Sequence, residues 1–391
     1  MIDITGSSDA LGPTPMAVEG PARDGPFVLR GRRMRAAGTE YGGLQRADSG
    51  DAVVMESCAS TAPPADHVRV DPGLLTRSWT DGGTQRTWTA LELPVLVWEC
   101  DGARPATLAW RSPVGAGATI ERIGDSDCAV FLEDGSRNRF VAQGGVLAPE
   151  LGDGAVQFQF RHTGTARLVA LAAVDDADQH RTLDRLARRG ISGFATQRAQ
   201  YAAHLAALGT RVRTPEPDID RVFGWAALRW GEAAAWDGVP SEVPFVAAAP
   251  GALGRLREAA ALLQMRSIEL LGPDPARAGG VLADGEYGLF GLQPDATNAM
   301  LVLEPRLPDA WPTMALDRFR AGSALVDVEV RRRPSATVVA LRVRSGGPLG
   351  VTVGLPEAVA THVDLDDVLM AATHAHFEAR HEHKLVFHHD G

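Results

Sequence analysis

One amphipathic stretch, with β-like sequence on both sides of it, constrains this chain more than any other feature. It runs from Thr214 to Trp236 and reads TPEPDIDRVFGWAALRWGEAAAW. Pro215 and Pro217 are expected to hold its entry in an extended conformation, so Asp218 is predicted as the N-cap of a helix. At about 100° per residue, one half of the helix collects the large apolar side chains, which are Val222, Phe223, Trp225, Ala226, Trp230, Ala233, Ala234 and Trp236. Packing against neighbouring elements is therefore the favoured role of Trp225 and Trp230.

Strand patterns dominate the sequence before this helix and return after residue 299. Residues 74–93 are predicted to form a hairpin whose turn is Asp81-Gly82-Gly83. Further short strands are predicted at 95–100, 106–112, 118–123, 128–133, 138–142, 155–162 and 166–173, with turns such as the HTG of residues 162–164 between them. Strands that recur about every ten residues are typical of a large antiparallel sandwich.

Helical patterns are confined to the middle of the chain. Helices are predicted at 179–189 and 193–208, separated at Gly190, and at 252–271, whereas residues 272–296 look like a loop. The predicted fold class is therefore mainly β with an α segment. Its domains are an N-terminal β domain in residues 1–178, a helical segment in residues 179–298 and a small C-terminal β domain in residues 299–391.

Composition narrows the class of protein. The chain has 391 residues, 45% of them hydrophobic, a formal net charge of −10 and a pI of about 5.6, which does not favour a nucleic-acid partner. The three cysteines are far apart and are predicted to be buried free thiols. With no secretory signal pattern and no apolar run long enough for a membrane span, a cytoplasmic protein without a membrane partner is expected. Phosphate-loop, dinucleotide and serine-hydrolase motifs are absent, and no cofactor is predicted.

Three stretches of the sequence resemble one family. Residues 74–112, LLTRSWTDGGTQRTWTALELPVLVWECDGARPATLAWRS, resemble the N-terminal supersandwich of the bacterial six-hairpin glycosidases of the glycogen-debranching and glucoamylase-like kind. The opening stretch is similar to their entry into an (α/α)6 catalytic barrel. Residues 288–322, GLFGLQPDATNAMLVLEPRLPDAWPTMALDRFRAG, resemble their exit from that barrel into a small β domain. The resemblance implies an N-terminal antiparallel β-supersandwich, a catalytic middle and a C-terminal small β-sandwich, with a role in carbohydrate metabolism.

The length of the middle segment conflicts with a complete barrel. Twelve helices of about 12 residues with connections of about 5 need roughly 200 residues. Between Asp218 and Met300 the chain has 83 residues. The sequence therefore predicts a family member whose barrel is truncated and whose activity is reduced or lost.

If the protein is active, the resemblance implies hydrolysis of α-glucosidic bonds by a pair of carboxyl groups. Glu242 and Glu286, both in loop-like sequence, are the predicted catalytic acid and base, although neither matches a family catalytic motif. Trp236, at the end of the helix, and Asp284 are the predicted substrate-binding residues.

The last twenty residues are rich in histidine. They hold six of the eleven histidines, namely His374, His376, His381, His383, His388 and His389. On a strand, His374 would share a face with His376, and His381 with His383, an arrangement that can bind zinc. Because no HExxH motif and no nearby cysteine accompanies them, no metal site is predicted.

The sequence leaves three functions open. The chain is either an oligosaccharide- or polysaccharide-cleaving enzyme or a non-catalytic module that binds a glycan or a protein. The third alternative is a subunit that forms a homo-oligomer through an exposed tryptophan face.

Overall fold

The structure is a computed structural model that describes residues 16–102, 105–114, 117–122, 125–152, 154–236, 251–266, 275–355, 360–370 and 372–389, without the side chains of 205–208 and 235–236. Strands make up 52% of it and helices 22%, so the predicted class, mainly β with a helical segment, is confirmed. The chain divides into two compact units. One comprises Met1–Ala202 and Arg266–Pro273, and the other comprises Ala203–Met265 and Asp274–Gly391.

The first unit contains a 14-stranded antiparallel sheet. Its strands are β1 (Val18–Pro21), β2 (Pro26–Arg30), β3 (Arg35–Thr39), β4 (Gly43–Ser49), β5 (Ala52–Ser60), β6 (His67–Asp71), β7 (Leu74–Ser78), β8 (Thr84–Thr89), β9 (Val95–Asp101), β10 (Ala106–Pro113), β11 (Thr119–Arg122), β12 (Asp127–Phe131), β13 (Arg137–Gly152) and β14 (Ala155–Ala173). The main path has the order β1-β6-β7-β8-β9-β14-β10-β5-β4-β3-β2, and β11, β12 and β13 branch from it. The hairpin predicted at 74–93 is present, with Ser78 opposite Thr84 and Gly82 at a φ of 88°.

Strand β14 is a single bent strand, which contradicts the prediction of two strands separated by a turn at 162–164. Its first half pairs with β10 and its second half with β9, while β13 follows it along nearly its whole length. Gly164 at a φ of 78° and Gly144 at a φ of 76° lie where the two strands bend. Glycine adopts this left-handed conformation without the steric cost of a Cβ atom. The hairpin formed by β13 and β14 therefore bends here, and β14 continues through the region that was predicted to be a turn.

Helix α1 (Asp176–Leu208) follows β14 and joins the two helices that the sequence predicts. Gly190, with φ 64° and ψ 170°, interrupts its helical geometry where the sequence predicts a break. Within the first unit, Ile191 and Phe194 of α1 pack into a buried cluster with Trp88 and Leu171 of the sheet. Burial of each such side chain contributes about 1.5 to 3 kcal/mol.

The described part of the second unit contains four further helical segments. They are α2 (Pro217–Trp236), α3 (Ala252–Gln264), α4 (Pro275–Ala283) and a π-helix (Asp284–Leu289). Asp218 is not the N-cap of α2, because Pro217 is already its first helical residue. Proline is favoured there since its missing N–H group has no helical partner at that position in any case. Trp225 is 1% exposed and Trp230 is 9% exposed, which confirms that both pack in the core.

Helix α4 and the π-helix occupy a region predicted to be a loop, and the glycines that suggested a loop have a packing role instead. A Cβ atom on Gly279 would lie 2.8 Å from the ring of Trp230, and one on Gly285 would lie 2.6 Å from the ring of Phe223. These distances are shorter than van der Waals contact. Gly279 and Gly285 therefore permit close packing against α2, and the sequence signal for a loop was wrong for this tertiary reason.

Two further sheets complete the second unit. Their strands are β15 (Arg211–Arg213), β16 (Leu292–Asp295), β17 (Met300–Leu303), β18 (Thr313–Ala321), β19 (Ala324–Arg333), β20 (Ala336–Ser345), β21 (Leu349–Gly354), β22 (Ala360–Leu365), β23 (Val368–Met370), β24 (His374–Ala379) and β25 (Glu382–His389). The larger sheet has the order β15-β18-β19-β20-β25-β22-β23 and the smaller one β16-β17-β21-β24. Alternation along β19 buries Val326, Val328 and Val330, as its sequence predicts.

All three cysteines are free thiols, as predicted. Cys58 and Cys128 are buried and Cys100 is half-buried. Burial raises the pKa of the Cys58 thiol to about 12 and those of Cys100 and Cys128 to about 11, so the reactive thiolate form is disfavoured at neutral pH. Among the described helices, none combines the length and the apolar character that a membrane crossing would need.

Candidate functional site

The structure describes only part of the predicted catalytic set. Glu242 lies outside the described residues. Trp236 is the last residue of α2, but its side chain also lies outside what is described. Asp284 and Glu286 both lie on the π-helix rather than on a loop. π-Helical turns are rare, and many of them occur at functional sites.

Asp284 is held by an ion pair. Its two carboxylate oxygens accept hydrogen bonds from Nε of Arg255 at 3.0 and 2.9 Å. Arg255 lies in the first turn of α3, so this pair joins α3 to the start of the π-helix within the second unit. The contact gives Asp284 a structural role, and substrate binding by this residue remains a prediction.

Glu286 is a buried carboxyl group with an unusual protonation state. Its side chain is 6% exposed, and burial raises its pKa from the ordinary 4.5 to about 8, against the opposing effect of a hydrogen bond with the Thr210 side chain. The carboxyl group is therefore mostly protonated at pH 7. Glu232, in contrast, is buried next to Arg229, whose Nη1 donates to its Oε2 at 2.8 Å. An ion pair is described for Glu232 and for Asp284 but none for Glu286.

A second carboxyl group with a raised pKa was missed by the sequence analysis. Burial raises the pKa of Asp220 to about 6, opposed mainly by hydrogen bonds from Thr214. The backbone N–H and the hydroxyl of Thr214 donate to Oδ1 of Asp220 at 2.8 and 2.9 Å. These two hydrogen bonds tie the first turn of α2 to the segment before it, which indicates a structural role for the pair.

An open groove lies in the first unit, where β13 and β14 bend. Its volume is about 420 Å³. The side chains that line it include three threonines and two basic residues, namely Thr61, Thr107, Thr163, Arg161 and His162, and the backbone at 144–146 lines it as well. Cavities of this size commonly hold small molecules.

The groove combines threonine hydroxyls and backbone groups with the apolar side chains of Pro105, Ala106 and Val146. Thr61 and Thr107 lie on the adjacent ends of two neighbouring chain segments, and the N–H of Thr107 donates to Oγ1 of Thr61 at 2.9 Å. At Gly145 a Cβ atom would lie 2.4 Å from the backbone oxygen of Arg161 and 2.6 Å from the ring of Phe160, so a side chain does not fit there unless the backbone shifts. Gly145 is therefore required by the close approach of β13 to β14 beside the groove.

His162 is the most unusual side chain of the groove. It is 3% exposed, and its ring lies edge-on to Trp98 with 5.4 Å between the centroids. Within the described part of the chain, neither ring nitrogen makes a hydrogen bond of normal geometry. Burial lowers the pKa of His162, although the backbone of Gly164 acts in the opposite direction. The imidazole is therefore neutral at pH 7, with both ring nitrogens buried.

The strand pattern contains a signal for the burial of His162. Phe158, Phe160 and His162 alternate along β14, so His162 continues the buried face of the strand. It was instead assigned to a turn between two strands. Alternation alone would have predicted a buried histidine here, but not the groove, which depends on where β13 bends.

Comparison with known proteins gives distant structural likenesses only. No family model and no curated protein matches the chain. Among solved structures, an inverting mannosidase of family GH92 from Bacteroides thetaiotaomicron is 8% identical, with 56% of this chain and 37% of that chain covered and a TM-score of 0.36. A glycosyl hydrolase of family GH92 is 9% identical, with 57% and 41% covered and a TM-score of 0.39.

A third structure matches over nearly the whole length of both chains. It is a protein provisionally named as a kojibiose phosphorylase, from the human microbiome, at 7% identity, with 98% of each chain covered and a TM-score of 0.38. The chain spans less than half the length of the two GH92 proteins. At these identities and TM-scores, the likenesses assign neither a family nor an activity to the chain.

Proposed function

We propose that this protein binds a neutral oligosaccharide in the groove at the bend of β13 and β14, and that it does so without cleaving the sugar. The observation that carries the proposal is the groove's lining, in which three threonine hydroxyls stand beside the apolar groups of Pro105, Ala106 and Val146 around a volume of about 420 Å³. A mainly apolar lining with a few polar groups is typical of small-molecule sites. Hydroxyl and peptide groups both donate and accept hydrogen bonds, as the hydroxyls of a sugar do. No carboxyl group is among the lining residues that the structure describes, so a neutral ligand meets no negative charge from them.

The class of ligand is supported by the sequence. The stretch 74–112 resembles the N-terminal domain of six-hairpin glycosidases, and it includes β10, whose first residues line the groove. Arg161 adds a planar group with several N–H donors, and its Nη2 already donates to Gln159 at 2.8 Å. The remaining donors of such a group suit the hydroxyls and ring oxygen of a pyranose.

Hydrolysis is less well supported by the described residues. It needs two carboxyl groups about 5 to 9.5 Å apart that flank the scissile bond. Glu232 and Asp284 each form an ion pair with an arginine, and Glu286 is only 6% exposed. These carboxyl groups are therefore occupied or enclosed, whereas the groove is open to a ligand.

A binding experiment with matched variants tests the proposal. Maltooligosaccharides of increasing length and an α-1,6-branched glucan would be titrated into the wild type and into Thr107→Val by calorimetry. The expected result is saturable binding that is weakened at least tenfold in Thr107→Val. Thr119→Val, at an exposed position on β11, is the control and should bind as the wild type does.

Two outcomes would overturn the proposal. One is the absence of saturable binding to any of these glycans, and the other is equal binding by Thr107→Val and the wild type. The variant His162→Phe tests whether the buried imidazole beneath the groove takes part in binding. Because both ring nitrogens of His162 are buried, the phenylalanine variant is expected to fold and to keep most of the affinity.

Glycoside hydrolysis is the second candidate, because one observation favours it. A carboxyl group that stays protonated at pH 7 is what a general acid requires, and the pKa of Glu286 is raised to about 8. On this reading Glu286 is the acid, which reverses the roles expected from the sequence, and Glu242 is the carboxylate that acts with it.

A release assay tests this second candidate. It would measure reducing ends from maltooligosaccharides and α-1,6-branched glucan with the wild type, Glu286→Gln and Glu242→Gln. Loss of a general acid lowers a rate by about 100-fold or more. Glu258→Gln, at an exposed position on α3, is the control. No release by the wild type, or release that Glu286→Gln leaves unchanged, refutes the assignment.

A further inference from the structure

Three potential metal ligands converge on the larger sheet of the second unit. His362 and Asp364 lie two residues apart on β22, so their side chains project from the same face of the strand. His388 lies on β25 directly opposite His362 in the register of these antiparallel strands. The three side chains therefore meet on one face, and all three are half-buried.

The distances between them suit a shared ion. One ligand atom from each residue lies within 4.8 Å of the other two. Nε2 of His388 is 2.8 Å from Oδ2 of Asp364. The rings of His362 and His388 are nearly parallel, with an interplanar angle of 13° and 4.3 Å between their centroids.

His362 has a ring nitrogen that can bind an ion, and Nε2 of His388 can exchange its hydrogen bond to Asp364 for an ion that both residues bind. Nδ1 of His362 lies 3.1 Å from the Thr361 hydroxyl, a contact that orients the ring and leaves Nε2 for a ligand bond. Bonds of about 2.0 to 2.1 Å to a tetrahedral ion place the ligand atoms about 3.3 Å apart. The ligand atoms now lie within 4.8 Å of one another. Side-chain rotations that move each of them by about an ångström would bring them to the spacing of about 3.3 Å that a tetrahedral ion needs.

We propose that His362, Asp364 and His388 form a binding site for a divalent transition-metal ion of the zinc type. Two imidazole nitrogens and one carboxylate oxygen are a ligand set that zinc accepts, with a further position left for water or a ligand. Calcium and magnesium are disfavoured because they prefer oxygen ligands. The site draws only one residue from the histidine-rich tail and does not depend on the proposed glycan binding.

The neighbouring histidines have other partners. His376 is bonded to the Thr352 hydroxyl at 2.9 Å, and His383 to Oδ2 of Asp366 at 2.7 Å. Within the described residues, the triad of β22 and β25 is the group of three such side chains whose ligand atoms converge. The His383–Asp366 pair shows that a histidine–aspartate hydrogen bond alone does not make such a group.

Metal titration of the full chain tests the proposal. The protein would be expressed without a polyhistidine tag, treated with a chelator, dialysed, and titrated with ZnCl₂ by calorimetry and with CoCl₂ by visible absorption. One equivalent of zinc is expected to bind. Cobalt is expected to produce the d–d absorption bands of a four-coordinate site. His362→Ala and Asp364→Asn should each weaken binding at least tenfold.

The control variant is His376→Ala, an exposed histidine on β24 that should leave binding unchanged. Far-UV circular dichroism of each variant without metal shows whether the fold is kept, and Asp364→Asn preserves the size of the side chain if His362→Ala does not fold. The proposal is overturned if the wild type binds no zinc, if Asp364→Asn binds as tightly as the wild type, or if binding is lost in His376→Ala instead.

Discussion

The buried carboxyl group of Glu286 makes a quantitative prediction about stability and pH. The unfolded chain binds the Glu286 proton with the ordinary pKa of 4.5, and the folded chain binds it with a pKa of about 8. Between these values the folded state holds more protons than the unfolded state, so the free energy of unfolding falls as the pH rises. Below pH 4.5 both states are protonated and the group has no effect. Above pH 8 the full penalty is present.

The magnitude follows from the two pKa values. At about 1.4 kcal/mol for each pH unit, the loss of stability due to Glu286 is about 3 kcal/mol at pH 7 and about 5 kcal/mol above pH 8. Because the side chain is only 6% exposed, little of this is screened by solvent. Glu286→Gln removes the charge and keeps the size of the side chain. The variant should be more stable than the wild type at pH 8 and equally stable near pH 4.

Urea unfolding between pH 4 and pH 8.5, followed by tryptophan fluorescence, measures this difference. Hydrogen exchange of peptides from 275–290 localises it to α4 and the π-helix, since the protein has two compact units and a single transition is not assumed. The raised pKa of Asp220 contributes a slope of the same sign in both proteins and cancels in the comparison. Glu258→Gln, an exposed change, should run parallel to the wild type. The reasoning is refuted if the free energy of unfolding of Glu286→Gln has the same pH dependence as that of the wild type.

Further predictions concern packing and a buried ion pair. Gly279→Ala should destabilise the second unit by about 1 to 3 kcal/mol, because its Cβ would lie 2.8 Å from the Trp230 ring. Gly280→Ala, next to it on α4 with open space around its Cβ, should instead stabilise the protein by up to about 1 kcal/mol, and equal urea midpoints for the two variants would contradict the packing argument. In the first unit, Arg266 and Glu40 form an ion pair in which both side chains are 2% exposed. Glu40→Ala should cost about 3 to 5 kcal/mol by leaving the arginine buried and unpaired, and a change below 1 kcal/mol in the urea-derived free energy would show that the arginine is solvated in the variant.

The buried face of α2 illustrates what local sequence can determine. Its period of large apolar residues predicted the packing of Trp225 and Trp230, because a helix places such residues on one side whatever lies opposite. The strand alternation and the turn at Gly82 were equally local, and these features confirmed the mainly β class.

Tertiary packing decided the features that the sequence analysis missed. Gly279 and Gly285 looked like loop residues, yet they lie in helices because aromatic rings of α2 occupy the space where their side chains would be. Glu286 became a buried acid for the same reason, since only the packed structure determines how much water reaches a carboxyl group.

The candidate sites depend on strand pairing over long distances in sequence. The groove lies where the register between β13 and β14 shifts beside Gly144, and the proposed metal site depends on the pairing of β25 with β22, which places His388 opposite His362. Periodicity shows which face of a strand a residue occupies, but not which strand lies beside it. The sequence by itself therefore determined the class of each element and its buried face. Only the tertiary structure determined which polar groups meet, because that depends on register and on the space that packing leaves.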